Sequence, residues 1–70
     1  MNEILVRYGK AVRKLRMKQG ISQEEFADKC GLHRTYISDV ELGKRNVSLE
    51  NIDRIASSLG MTLSDFFKEL

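Results

Sequence analysis

A chain of 70 residues with one cysteine and no proline has room for one small core, no intramolecular disulfide and no deep catalytic cavity. Its net charge of +2 is too small to name a partner, and no apolar run approaches the roughly 20 residues that cross a bilayer. The opening stretch MNEILVRYGK also lacks the long apolar region and cleavage site of a signal peptide.

Leu5, Tyr8, Val12 and Leu15 recur near helical spacing and predict a first helix from about Glu3 to Gln19. Ser22 then begins Ser-Gln-Glu-Glu, a capping box in which Ser22 and Glu25 satisfy each other's free backbone donors. The second helix is short and ends near Cys30, with Phe26, Ala27 and Cys30 inward. Cys30 reads as a small core residue, and the lack of disulfides fits a reducing cytoplasm. A third helix is expected from Arg34 to Leu42, burying Ile37 and Val40. Ser48 caps a fourth, whose Leu49, Ile52, Ile55, Ala56 and Leu59 form one apolar stripe. Thr62 and Asp65 repeat the capping pattern before a last helix with Leu63, Phe66, Phe67 and Leu70. Gly20, Gly31, Gly43 and Gly60 each follow a helical segment, where a left-handed cap favours a residue without Cβ. Strand signals are weak throughout, so the expected class is all-α, with residues 1–70 as one domain.

Function concentrates between Ser22 and Gly43, where two short helices meet at a tight Gly31-Leu32-His33 connection. Such a corner is a helix-turn-helix. Its second helix lies in the DNA major groove and its first crosses the phosphate backbone. Charge is unevenly spread around it. Residues 1–20 carry Arg7, Lys10, Arg13, Lys14, Arg16 and Lys18 against Glu3 alone, whereas Glu24, Glu25 and Asp28 outnumber Lys29 in the next ten. A solvated surface without a partner shows such blocks too.

The stretch ISQEEFADKCGLHRTYISDVELGKRNVSLENIDRIASSLGM resembles the helix-turn-helix family of phage repressors, Cro proteins and XRE-type bacterial regulators. The matching marks are Ser22-Gln23, Ala27, Gly31, Ile37-Ser38, Glu41, Gly43 and Leu59-Gly60. HRTYIS followed by GKRNVSL further resembles controller proteins of bacterial restriction–modification systems, short dimers that regulate their own operon and the endonuclease gene. The resemblance covers about residues 5–67 and implies a five-helix lambda-repressor-like domain. It implies a bacterial or phage cytoplasmic regulator that binds double-stranded DNA, a homodimer on a two-fold operator. Two positions depart from the pattern: Leu42 stands where the family has Arg or Asn reaching a phosphate, and Val47 replaces a proline.

Arg34 opens the third helix, where its guanidinium matches the O6 and N7 acceptors of guanine. Thr35, Ser38 and Asp39 complete the expected base-reading set; Asp39 either accepts from a cytosine amino group or orients Arg34. Tyr36 either packs on the first helix or stacks on the sugar-phosphate. Ser22 and Gln23 begin the second helix, whose free N–H groups favour a phosphate, and Gln23 is expected to buttress Arg34. Lys44, Arg45 and Asn46 hold phosphates, and His33 is a cap or a phosphate neighbour.

The last two helices carry more apolar groups than one small core needs. Phe66 and Phe67 are adjacent, so a helix points them about 100° apart and at least one leaves the core. A two-fold interface of Leu49, Ile52, Leu63, Phe66 and Phe67 is expected, as in the family, setting the recognition helices roughly 34 Å apart. Glu24 and Asp28 share one face of the second helix. They either complement the helix dipole or, as in the activating phage repressors this segment resembles, meet the sigma subunit of RNA polymerase. No nucleophile–base pair, phosphate-cradling loop or metal spacing occurs, so no enzyme, metal or cofactor is expected. The alternative is an antitoxin-like or phage-type repressor with a protein-interaction role, though no toxin-binding tail is expected after the last helix.

Overall fold

The computed structural model describes residues 2–70 as five helices: α1 (Glu3–Lys18), α2 (Gln23–Cys30), α3 (Arg34–Glu41), α4 (Leu49–Ser58) and α5 (Leu63–Phe67). No strand occurs among the described residues. Four helix starts are set by side-chain caps. Asn2 accepts from the Ile4 N–H, Ser48 from Asn51 and Thr62 from Asp65, at 3.1, 3.2 and 3.1 Å. At α2 both halves of the capping box form, with Ser22 Oγ accepting from Glu25 and Glu25 Oε1 accepting from Ser22. The exception is α3. His33 occupies its N-cap position with no side-chain cap hydrogen bond among the described residues, so of its two expected roles, cap or phosphate neighbour, the side-chain cap does not form.

Between α2 and α3, Gly31 takes φ +69° and the Leu32 N–H returns to the Ala27 carbonyl at 2.9 Å. A side chain is strained in that conformation, which is why glycine makes this corner. The other informative glycine is Gly9, in the middle of α1. A Cβ there would collide with the carbonyl oxygen of Val40 and lie 2.8 Å from that of Glu41. The backbones of α1 and α3 therefore touch, and α3 is held at its C-terminal end.

Phe26, Phe66, Ile37, Ile55, Val12 and Val40 are fully buried and draw the five helices onto one core. Phe66 packs its ring against Tyr8, with centroids 5.3 Å apart. This corrects the expected dimer set: Phe66 has no surface for a second copy, whereas Phe67 is 45% exposed. Burial raises the Tyr8 phenol far above its ordinary value, and its hydroxyl has no hydrogen-bond partner among the described residues. The α4 stripe also divides. Ile55, Ala56 and Leu59 face the core, Ile52 is half-buried, and Leu49 is 73% exposed.

Candidate nucleic-acid interface

The corner of α2 and α3 sets one side of α3 outward. Ile37, Val40 and Glu41 anchor the inner side, so helical spacing turns Thr35 away from it and Ser38 to its flank. Arg34, three residues before Ile37, is exposed at the first position of the helix. Arg34 and Thr35 are exposed and Ser38 half-buried, and none has a side-chain hydrogen bond or ion pair among the described residues. These are groups able to read base edges, left without protein partners.

Asp39 is not directed at Arg34. Its Oδ2 lies 3.5 Å from Arg45 Nε, and the Arg45 guanidinium covers the Tyr36 ring at 5.1 Å from the centroid. The physical reason is the turn after α3. The Lys44 N–H bonds the Asp39 carbonyl at 2.9 Å, folding the loop back along the helix and bringing Arg45 within reach. Tyr36 is half-buried, and its hydroxyl accepts from Asn51 Nδ2 of α4 at 3.1 Å, so it is tied to the scaffold. Lys44, Arg45 and Asn46 are exposed in this loop.

Gln23 does not reach Arg34 either. Its amide donates to Glu41 Oε1 at 3.1 Å, part of a network the sequence reading missed. The Glu41 carboxylate accepts from Arg16 twice, Nε to Oε2 at 2.7 Å and Nη2 to Oε1 at 3.0 Å. Arg16 Nη1 donates to the Ile21 carbonyl at 2.9 Å. The two side chains are 11% and 3% exposed. The hydrogen bond to Glu41 raises the Arg16 pKa further above its ordinary value, against the opposing effect of burial. Such a pair stabilises its scaffold conditionally, because removing one partner strands the other charge in a low-dielectric site. Its signal was local: Ile37, Val40 and Glu41 stand at i, i+3 and i+4, which places an acid on the buried face.

A second surface lies elsewhere. An apolar groove of about 210 Å³ is lined by Ile4, Val47, Ile52, Phe67 and Leu70, among others. It takes in Ile52 and Phe67 of the expected dimer set and adds Ile4 and Leu70, whereas Leu63 is half-buried against the core. On α2, Glu24 and Asp28 are both exposed. Cys30 is buried, and burial raises its thiol pKa while a hydrogen bond involving Ser58 opposes the shift. Among the described residues no three His, Cys, Asp or Glu side chains could share a metal, and no helix is long and apolar enough to cross a membrane.

Comparison with known proteins bears directly on this corner. Residues 12–66 match the family described as Helix-turn-helix. The chain is 49% identical over 71 residues to control protein C.MunI of Mycoplasma sp, covering all of this chain and 96% of that protein. Among solved structures, the restriction-modification controller protein C.AhdI from Aeromonas hydrophila superposes with a TM-score of 0.90. It is 42% identical, over 94% of this chain and all of that one. The controller protein C.Esp1396I, solved as a tetramer in complex with its natural 35 base-pair operator, gives a TM-score of 0.91. It is 31% identical, over 97% of this chain and 90% of that one.

Proposed function

Because this chain belongs to the helix-turn-helix family, and within it to the controller proteins of restriction–modification systems, we propose that it is a transcriptional regulator that binds DNA sequence-specifically and controls its own operon. The observation that carries this reading is the exposed face of α3, where Arg34 and Thr35 have no side-chain partner among the described residues at a helix-turn-helix corner. Arg34, Thr35 and Ser38 read bases. Asp39 acts beside them by holding Arg45. Ser22, Gln23, His33, Tyr36, Lys44, Arg45 and Asn46 face the sugar-phosphate backbone, contacts that set register rather than sequence preference.

Residues 1–70 serve as one DNA-binding and dimerisation unit in the cytoplasm, without a catalytic role. The dimer forms through Leu49, Ile52, Leu63 and Phe67, and the apolar groove beside Ile52 and Phe67 supports this. A two-fold pair then sets its recognition helices about one DNA turn apart, roughly 34 Å. Glu24 and Asp28, exposed on α2, meet a basic surface of the polymerase sigma subunit where the operator abuts a promoter. A Glu24→Gln, Asp28→Asn double variant that keeps operator affinity and loses activation supports that contact; unchanged activation contradicts it.

The test of the main reading is selection of bound duplexes from a random pool, followed by footprinting upstream of the chain's own gene. A two-fold motif protected at that site is the expected result. A selection that returns no motif overturns the reading, and sedimentation as a monomer at micromolar concentration overturns the dimer.

A further inference from the structure

A hollow of about 150 Å³ opens between α1, the start of α2 and the side of α3. The Arg16–Glu41 pair forms part of its lining, joined by Arg13, Gln23, Ser38 and Leu42. The charges of that pair cancel, because both Glu41 oxygens are engaged: Oε2 by Arg16 Nε, and Oε1 by Arg16 Nη2 and Gln23 Nε2. Leu42 is 54% exposed and offers no donor. That leaves Arg13 as the uncompensated charge of the hollow, exposed and without an ion-pair partner among the described residues. Two neutral donors stand near it. The Gln23 amide keeps one N–H beyond the one given to Glu41, and the Ser38 hydroxyl has no partner among the described residues.

One full positive charge flanked by neutral donors suits an anion with several acceptor oxygens. A helix-turn-helix also passes the phosphate backbone across its first helix, here α2, whose opening residue Gln23 lines the hollow. We propose that Arg13 holds a phosphodiester of the bound DNA at this hollow, beside the Gln23 amide, with the Ser38 hydroxyl at its edge left to the bases. In the sequence Arg13 is one of six basic residues before Gly20; its place beside α2 and α3 depends on how α1 crosses them. The proposal rests on the α2–α3 face being the DNA interface.

Lys14 supplies the control. It is the next residue of α1, turned about 100° away, and its side chain is 74% exposed with Glu69 at 4.0 Å. Binding of the full chain to its selected operator and to an unrelated duplex is measured across a salt series for wild type, Arg13→Ala, Arg13→Lys and Lys14→Ala. Circular dichroism confirms that each variant is folded. Arg13→Ala is expected to weaken both duplexes by the same factor and to reduce the slope of log K against log salt by about 0.9 per bound protomer. Arg13→Lys restores the slope, and Lys14→Ala leaves it near wild type. Equal slopes for Arg13→Ala and Lys14→Ala overturn the proposal, whether both fall or neither does. Loss on the operator alone also overturns it, because Arg13 would then read a base. A wild-type chain that binds neither duplex instead overturns the DNA reading itself.

Discussion

The two sides of α3 follow opposite rules. On the inner side Ile37 and Val40 are fully buried, and each oxygen of Glu41 accepts from Arg16. On the outer side Arg34, Thr35 and Ser38 carry donors and acceptors with no side-chain partner among the described residues. Eight residues thus separate two tasks. The inner set holds the helix on α1 and α2, and the outer set is exempt from stability and free to meet DNA. The comparison predicts that substitutions on one side change melting and those on the other change binding.

Glu41→Ala is the harshest break. It leaves Arg16 buried and unpaired, which costs about 3–5 kcal/mol, a large share of the stability of so small a domain. Thermal or urea unfolding followed by circular dichroism should show a much lower transition; wild-type stability would mean the pair is not the anchor of α3.

Gly9→Ala sharpens the same point by a contest of signs. Helix propensity alone favours alanine by about 1 kcal/mol in mid-helix. The added Cβ, however, meets the Val40 and Glu41 carbonyls, which are backbone and cannot rotate away. Overpacking of this kind costs about 1–3 kcal/mol, so urea unfolding should show a net loss. A stabilised variant would contradict the close crossing of α1 and α3.

The smallest expected effect on stability lies at the rim of the outer side. Asp39 and Arg45 pair at 3.5 Å with side chains 32% and 49% exposed, so Asp39→Asn should shift unfolding by less than about 0.5 kcal/mol. It also removes a negative charge beside the DNA face and releases Arg45. Affinity for unrelated duplexes should therefore rise at low salt, measured by fluorescence anisotropy. Unchanged affinity would mean that Asp39 plays no part at the interface.

What could be read from the sequence was what short-range chemistry decides. Ser22, Ser48 and Thr62 marked helix starts because their hydroxyls bond donors only three residues on. Thr35 as an outward residue of α3 followed from Ile37 and Val40 by helical spacing, whereas Arg34, three residues before Ile37, is exposed because it opens the helix. What stayed hidden depends on crossings between distant segments. Glu41 finds Arg16 25 positions away, and Gly9 is needed only because α3 lies against it. The Phe66–Phe67 pair implied that at least one ring leaves the core but not which; Phe66 is the one that packs on Tyr8, from the other end of the chain. Asp39 was open to a cytosine amino group or to Arg34 on its own helix, whereas the loop fold delivers Arg45.

The division of α3 is tested most directly by Arg34→Ala, assayed together for unfolding and for duplex selection, with Lys44→Ala alongside. Arg34 is exposed and has no side-chain partner among the described residues, so its loss should leave the melting transition in place. Binding to the best site should weaken by about 1–3 kcal/mol, with preference relaxed at one position per half-site. Lys44→Ala should weaken all duplexes alike and lower the salt slope by about one. An Arg34→Ala protein that unfolds early, or that selects the wild-type motif with undiminished preference, would contradict the account.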